Sequence, residues 1–366
     1  MRFPGQKAHI GILGGGAWGT AIAGVLAKKG NKVDIWCYEQ EVAVEINSKH
    51  TNSRYLMGVD LPERIKALTD PLAVVNKKDF LLVAIPSLYL LPIIKKIITI
   101  SNIMEGRTLI GILSKGFIET AQGIRLITEA MEDYLPGIYK GNLVYISGPS
   151  HAEEVARGKI TGLISASVSG RNSIRFRELL TGGRLMVFSS LDIKGVQISA
   201  ALKNVIAIAF GMVDALKEFS HQFGDNTESL LLAAGLNEIL LLGQALGATH
   251  PETFSSIAGV GDLDVTCRSK YGRNRRFGRE IILSRLLEKY NNIEEIISDL
   301  PNIGYYAEGV SAAGYTWRLV KKYNLNLPIC SGVYRILNRE VEPLQEVELI
   351  LKKITGESKI LPGTEK

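Results

Sequence analysis

Apolar residues in the first half of this chain come in short runs, most of them closed by Gly, Pro or Ser. Residues 8 to 13 (AHIGIL), 32 to 37, 79 to 86 (DFLLVAIP), 107 to 113 (RTLIGIL), 142 to 147 (NLVYIS), 161 to 168 (TGLISASV) and 184 to 190 (RLMVFSS) have strand length, and helical stretches separate them. That alternation predicts an α/β fold with a doubly wound sheet and helices on both faces. After Asp192 the rhythm changes to long helical periods, predicted over 193–217, 226–247, 279–290, 308–323 and 342–355. A domain boundary is therefore expected near 190, dividing an α/β domain (1–190) from a helical domain (191–356). The last stretch, 357–366, holds Gly, Pro and several charges and is expected to be a loose tail. Residues 230 to 248 are apolar nearly all round, which predicts a central helix.

One apolar run carries a charge in its middle. Residues 195 to 213, GVQISAALKNVIAIAFGMV, contain a single ionisable side chain, Lys203, beside Asn204. The length approaches that of a membrane span, yet Gln197, Ser199, Lys203 and Asn204 crowd its first half, so a buried helix in a soluble core fits better and no integral membrane segment is expected. An ammonium withdrawn from water needs a partner, a shifted pKa or an opening to a cleft. Snorkelling to the surface is the alternative at this point.

The first strand runs directly into Gly14, Gly15, Gly16, Ala17, Trp18 and Gly19, and the spacing of Gly14, Gly16 and Gly19 satisfies GxGxxG. A helical stretch ending at Gly30, a candidate C-terminal cap, and a second strand follow. In this order the glycines serve a tight turn, backbone approach to a pyrophosphate and close helix packing, and the helix N-terminus receives the negative charge. Glu39, twenty residues beyond Gly19, is the candidate for the adenosine ribose. No Arg or Lys occupies 37 to 41, which favours NAD over NADP. Other strand ends carry the turns IPS (85 to 87), SKG (114 to 116) and GPSHAEE (148 to 154). Lys115 there is either a surface lysine or a contact for a substrate anion, and Ser150 with Glu153 reads as a capping box.

Composition narrows the classes. The 366 residues, 46% hydrophobic and 22% charged, suit two soluble domains. The N-terminal apolar stretch runs into glycines without a small-residue cleavage site, so no signal peptide is expected. Cys37, Cys267 and Cys330 are odd in number and far apart, which indicates neither a disulfide framework nor a metal site and suits the cytoplasm. The net charge of +6 is densest in residues 268 to 279, RSKYGRNRRFGR. No nucleic-acid-binding motif surrounds that segment, so it reads as a solvated face or a phosphate site, with no nucleic-acid partner.

Taken together, GGGAWGTAIA, IPS, SKG, GPSHAEEVA, ALKNVIAIAFGM, GDNT, TFSSIAGVGDLDVTC, GRNRRFG and AEGVSAA resemble the bacterial type of NAD(P)-dependent glycerol-3-phosphate dehydrogenase, in family order from about residue 8 to 340. The resemblance implies a Rossmann-like domain and a helical C-terminal domain similar to that of 6-phosphogluconate dehydrogenase, with the active site between them. It implies reversible reduction of dihydroxyacetone phosphate to sn-glycerol 3-phosphate for phospholipid synthesis, with NAD favoured or NADP as cofactor, in a homodimer. Lys203 in ALKN resembles the family's acid/base lysine and Asn204 a substrate residue. A buried lysine of lowered pKa suits proton delivery to the C2 oxygen. Asp262 resembles its carboxylate partner, Thr266 lies one helical turn on, and Asp264 is a neighbour that spacing does not exclude. Arg273 and Asn274 resemble the phosphate binders, Arg273 also approaching the cofactor, while Gly272 stands where many members have serine and leaves only a backbone amide. Lys115, Gly148 and Ser150 resemble further substrate contacts. Gly14, Gly16, Trp18, Gly19, Tyr38, Lys115, Ala152 and Glu308 resemble cofactor contacts, and Tyr38 replaces a residue that is often basic where NADP is used. Residues 217 to 223, KEFSHQF, are longer than the usual link and have no functional reading.

Overall fold

The computed structural model describes residues 7–355, which divide into two compact units. The second begins at Ile198 and also takes in Ala121–Ile124. The division lies a few residues beyond the expected 190, within a helix, and the expected tail at 357–366 lies outside the described residues.

Ten strands occur among the described residues: β1 (His9–Leu13), β2 (Lys32–Trp36), β3 (Ile65–Leu68), β4 (Phe80–Val83), β5 (Leu109–Ile112), β6 (Phe117–Thr120), β7 (Gly123–Leu126), β8 (Val144–Ser147), β9 (Thr161–Ala166) and β10 (Leu185–Ser190). Eight form one sheet in the order β10-β9-β8-β5-β4-β1-β2-β3, and β6 pairs with β7. Neighbours are parallel except β8 and β9, so β9 and β10 run against the rest. The seven apolar runs all become strands; the central ones are covered on both faces, Ile10, Ile12, Leu13, Leu81, Leu82 and Val83 being fully buried, while the edge strand β10 alternates, with Met186 and Phe188 exposed. The edge strand β3 was not anticipated, since four residues with Lys66 turned outward carry little pattern. The helix Ala17–Lys28 ends at Gly30, whose φ of 89° and N–H bond to Ala27 O (2.8 Å) close it in the left-handed conformation.

In the second unit the axis is the helix Ile193–Leu216, most of which belongs to that unit. Residues 195–213 are all buried, so this helix, long and apolar enough to cross a membrane, is spent on the fold's interior. Its neighbours come unusually near. A Cβ on Gly211 would lie 2.0 Å from the Arg275 carbonyl oxygen, and one on Gly309 would lie 2.4 Å from that of Asn204. Only glycine lets these backbones touch.

The expected centrality of 230–248 is corrected by the structure. The helix Asp225–Ala245 buries mainly Glu228, Leu231, Gly235, Glu238, Ile239, Leu242 and Gly243, a single face, while Leu230, Leu236, Leu240 and Leu241 are half-exposed. The helix expected at 279–290 instead runs Arg273–Leu283, followed by a 3-10 turn at Leu286–Lys289. The helix Pro328–Leu337 was also missed, its proline being a helix starter rather than a breaker. Glu238 caps it: the carboxylate accepts from the Ile329 (2.5 Å) and Cys330 (2.9 Å) amides. Burial pushes this carboxyl up to about 7 despite those bonds.

Candidate active site

In the first unit, the expected ligand residues gather where strands end. Gly14 follows β1 with φ 123°, and a Cβ there would meet the Ala84 carbonyl oxygen at 2.5 Å. A Cβ on Gly19 would meet the Gly14 oxygen at 1.9 Å, so this glycine seats the helix against its own turn. At Gly16, the N-cap of the helix Ala17–Lys28, an added Cβ would have nothing within 4 Å. Bare amides facing open space at a helix N-terminus fit a dinucleotide's pyrophosphate. Trp18 is half-buried and packs against the sheet core.

Lys115, half-buried, follows β5, and Gly148 follows β8 with φ 137°. Ser150 Oγ donates to Gly148 O at 3.0 Å. The capping box read at Ser150 and Glu153 is corrected: His151 is the N-cap of the short helix Ala152–Ala156, and no side chain caps it. The helix begins one residue too late for Ser150 to reach it. Tyr38, 82% exposed, and Glu39 lie just past β2.

Three residues that the sequence reading passed over organise this end of the sheet. Asn52, buried, donates to Gly15 O (2.9 Å) and to Thr20 Oγ1 (2.8 Å), bracing the glycine turn. Tyr55 donates its hydroxyl to Glu39 Oε1 at 2.5 Å. The Arg54 guanidinium stands 3.7 Å from Glu39 and 2.8 Å from Glu41. No local periodicity links residue 52 to residue 15, so only the folded chain reveals them.

In the second unit, Lys203 is buried on the axial helix, and its Nζ donates to Asp262 Oδ1 and to Thr266 Oγ1, the latter at 2.9 Å. The lysine is therefore paired and does not snorkel. Thr266 Oγ1 in turn donates a hydrogen bond to the Asp262 carbonyl oxygen at 2.7 Å, one helical turn back. Asp262 is fully buried, whereas Asp264 points outward to Arg268 (2.9 Å), which settles the choice that spacing left open. The turn of π-helix at Ile257–Gly261 leads directly into the helix Asp262–Arg268 and sets that aspartate at its first position.

Asn204 lies beside the lysine in a chain of amides. Gly309 N donates to Asn274 Oδ1 (2.9 Å), Asn274 Nδ2 donates to Asn204 Oδ1 (2.9 Å), and Asn204 Nδ2 reaches Glu308 Oε2 at 3.5 Å. Glu308 opens the helix Glu308–Tyr323.

The basic segment separates into paired and unpaired cations. Arg275 and Arg279 share Asp214 (2.6 and 2.7 Å), Arg276 pairs with Glu280 and Arg268 with Asp264. Arg273, exposed, has no ion-pair partner among the described residues. It stands at the first position of the helix Arg273–Leu283. Gly272 is that helix's N-cap, and a Cβ there would lie 2.7 Å from the Thr266 carbonyl oxygen, a close approach that serine would strain. The unexplained stretch 217–223 has a structural use: Lys217 holds Asp225 (2.6 Å) and Glu228 (2.9 Å) at the start of the next helix.

A sheet of this topology with a glycine turn after β1, followed by a helical unit built round a buried lysine, defines a class, the two-domain dinucleotide-dependent dehydrogenases. Sequence models described as the N-terminus and the C-terminus of NAD-dependent glycerol-3-phosphate dehydrogenase match residues 9–172 and 192–348. The chain belongs to the NAD-dependent glycerol-3-phosphate dehydrogenase family. It is 51% identical over 349 residues to the glycerol-3-phosphate dehydrogenase [NAD(P)+] of Treponema denticola, covering 94% of this chain and 98% of that one. With the Enterococcus faecalis enzyme of the same name the identity is 34%, over 94% of this chain and 96% of the other. The crystal structure of glycerol-3-phosphate dehydrogenase from Coxiella burnetii superposes with a TM-score of 0.80 at 33% identity, covering 94% of this chain and 99% of that one.

Proposed function

We propose that this chain catalyses the reversible NAD(P)H-dependent reduction of dihydroxyacetone phosphate to sn-glycerol 3-phosphate, the precursor of glycerophospholipids, as a cytoplasmic homodimer. The observation that carries the reading is the buried Lys203–Asp262–Thr266 cluster, an acid/base group held in place, on the same unit as an arginine left without an acidic partner.

When bound, the reduced nicotinamide supplies the hydride that C2 of the ketone receives. Lys203 Nζ gives a proton to the C2 oxygen and takes it back in the reverse direction, and while cationic it stabilises the developing alkoxide. Asp262 offsets the cost of keeping that ammonium out of water, and Thr266 fixes its direction. Arg273 and the free amides at the start of the helix Arg273–Leu283 bind the substrate phosphate, the fork of the guanidinium matching its oxygens. Asn274 joins Arg273 at the phosphate, and Asn204, bonded to it, is a further substrate contact. On the first unit, Gly14, Gly16, Gly19, Trp18, Tyr38, Glu39 and Ala152 hold the dinucleotide.

The test is consumption of NADH or NADPH with dihydroxyacetone phosphate, followed by absorbance. Replacing Lys203 (Lys203→Ala) is expected to lower kcat at least about a hundredfold, the usual contribution of a general acid. Near-normal turnover by that variant would refute the assignment.

A further inference from the structure

The turn after β2 offers an acid to the adenosine ribose and no cation. Residues 37–41 are Cys-Tyr-Glu-Gln-Glu, so a 2′-phosphate placed there would face Glu39 and Glu41 with nothing to neutralise it. Folding brings in the missing charge from elsewhere. The chain doubles back at the isolated bridge between Asn52 and Leu56, and Asn52 anchors that turn to the glycine loop through Gly15 and Thr20. The next residues reach the ribose acid: Tyr55 bonds Glu39 directly, and Arg54 lies between Glu39 and Glu41.

We propose that Arg54 is the residue that admits a cofactor carrying a 2′-phosphate, so that this turn, and not the end of β2, sets the choice between NADP and NAD. The inference rests on the cofactor site as read above. Its physical basis is how loosely the arginine is held. The Arg54 side chain is 52% exposed and that of Glu41 68%, and solvent screens ion pairs this exposed until they contribute little. A phosphate with its two charges and three oxygens is a stronger partner for the guanidinium than either carboxylate. Leaving Glu41 for a phosphate therefore costs little. Tyr55 stays on Glu39 in both cases, and Arg54, already over the Tyr55 ring at 5.4 Å, needs only to turn its guanidinium. With NAD, Glu39 accepts from the ribose hydroxyls and Arg54 remains on Glu41. With NADP, Arg54 bridges the phosphate and Glu39 and cancels their repulsion.

The experiment is equilibrium titration of the full chain with NADH and NADPH, read from nicotinamide fluorescence, for the wild type, Arg54→Ala and Arg54→Lys. Competition by adenosine 2′,5′-bisphosphate gives a readout without nicotinamide. The expected result is that Arg54→Ala weakens NADPH and the bisphosphate by about tenfold or more, as loss of a charged hydrogen bond implies, while NADH changes by less than about threefold. Arg54→Lys should recover part of the loss. Equal weakening of both dinucleotides, or no change in either, overturns the inference and leaves the proposed function standing. A wild type that binds NADH but not NADPH does the same. A wild type that binds neither overturns the cofactor site itself, and this inference with it.

Discussion

Replacing Asp262 by asparagine (Asp262→Asn) keeps the shape of the site and removes one charge from a buried pair. Asp262 is fully buried and Lys203 nearly so, so water cannot take over the carboxylate's work. Two opposite charges about 4 Å apart at an effective dielectric of about 20 attract by about 4 kcal/mol. Asparagine still offers an oxygen to the ammonium, so part of that attraction is kept, and losing the rest displaces the titration of the lysine. Its sign follows from the loss of an anion: the lysine gives up its proton at lower pH than before. With Lys203 in the proposed role of acid, ketone reduction then fails at a lower pH, and its optimum moves to the acid side. With the free amine as the proposed base, glycerol phosphate oxidation extends to lower pH. The assay is kcat in both directions from about pH 5 to 10, with thermal unfolding to verify that the variant folds. A uniform loss of rate with unmoved pH limbs would refute the reasoning, since Asp262 would then position the lysine without governing its charge.

Substituting Arg273 (Arg273→Ala) should mainly raise KM for dihydroxyacetone phosphate and narrow its advantage over dihydroxyacetone; unaltered discrimination in steady-state kinetics would remove it from phosphate binding. Glu238, raised from an ordinary value of 4.5 to about 7, makes a contribution to stability that is full below about 4.5 and is lost as pH rises through 7, up to about 3 kcal/mol. The substitution Glu238→Gln should flatten that part of the pH dependence, measured as denaturant midpoints at about pH 5 and pH 8; identical slopes in the two proteins would mean that burial of this carboxyl is not what couples folding to pH.

What could be read from the sequence was what repeats locally. The central apolar runs became strands because a sheet covered on both faces leaves no room for polar alternation, and GxGxxG lies at a strand-to-helix turn as its neighbours required. Lys203 stood out for the same reason, as the one charge in the run 195 to 213. The spacing of Asp262 and Thr266 was legible as one helical turn, but choosing Asp262 over Asp264 needed the direction of the helix face. The misses were non-local. The segment Asn52–Tyr55 has no periodic or compositional signal and acquires its meaning only by touching Gly15 and Glu39. The helix expected to start at 279 starts at Arg273, because six cations in twelve residues mask helical periodicity, and four of the six turned out to be neutralised by carboxylates on this same unit. The helix Asp225–Ala245 was judged central because leucine is equally at home on a half-covered face.

The amide chain from Gly309 through Asn274 to Asn204 has a direction. A peptide N–H can only donate, so Gly309 obliges Asn274 to turn its oxygen inward and its amino group towards Asn204, which must then receive on its oxygen and offer its own amino group beyond. Neither asparagine is free to flip. The polarity of a main-chain bond is thereby relayed across two side chains to the neighbour of Lys203, and the Asn204 amino group is directed at Ala200 O and Glu308 Oε2. An aspartate at position 274 would still receive the Gly309 amide but would set acceptor against acceptor at Asn204 as it stands, so the relay calls for an amide there and not an acid.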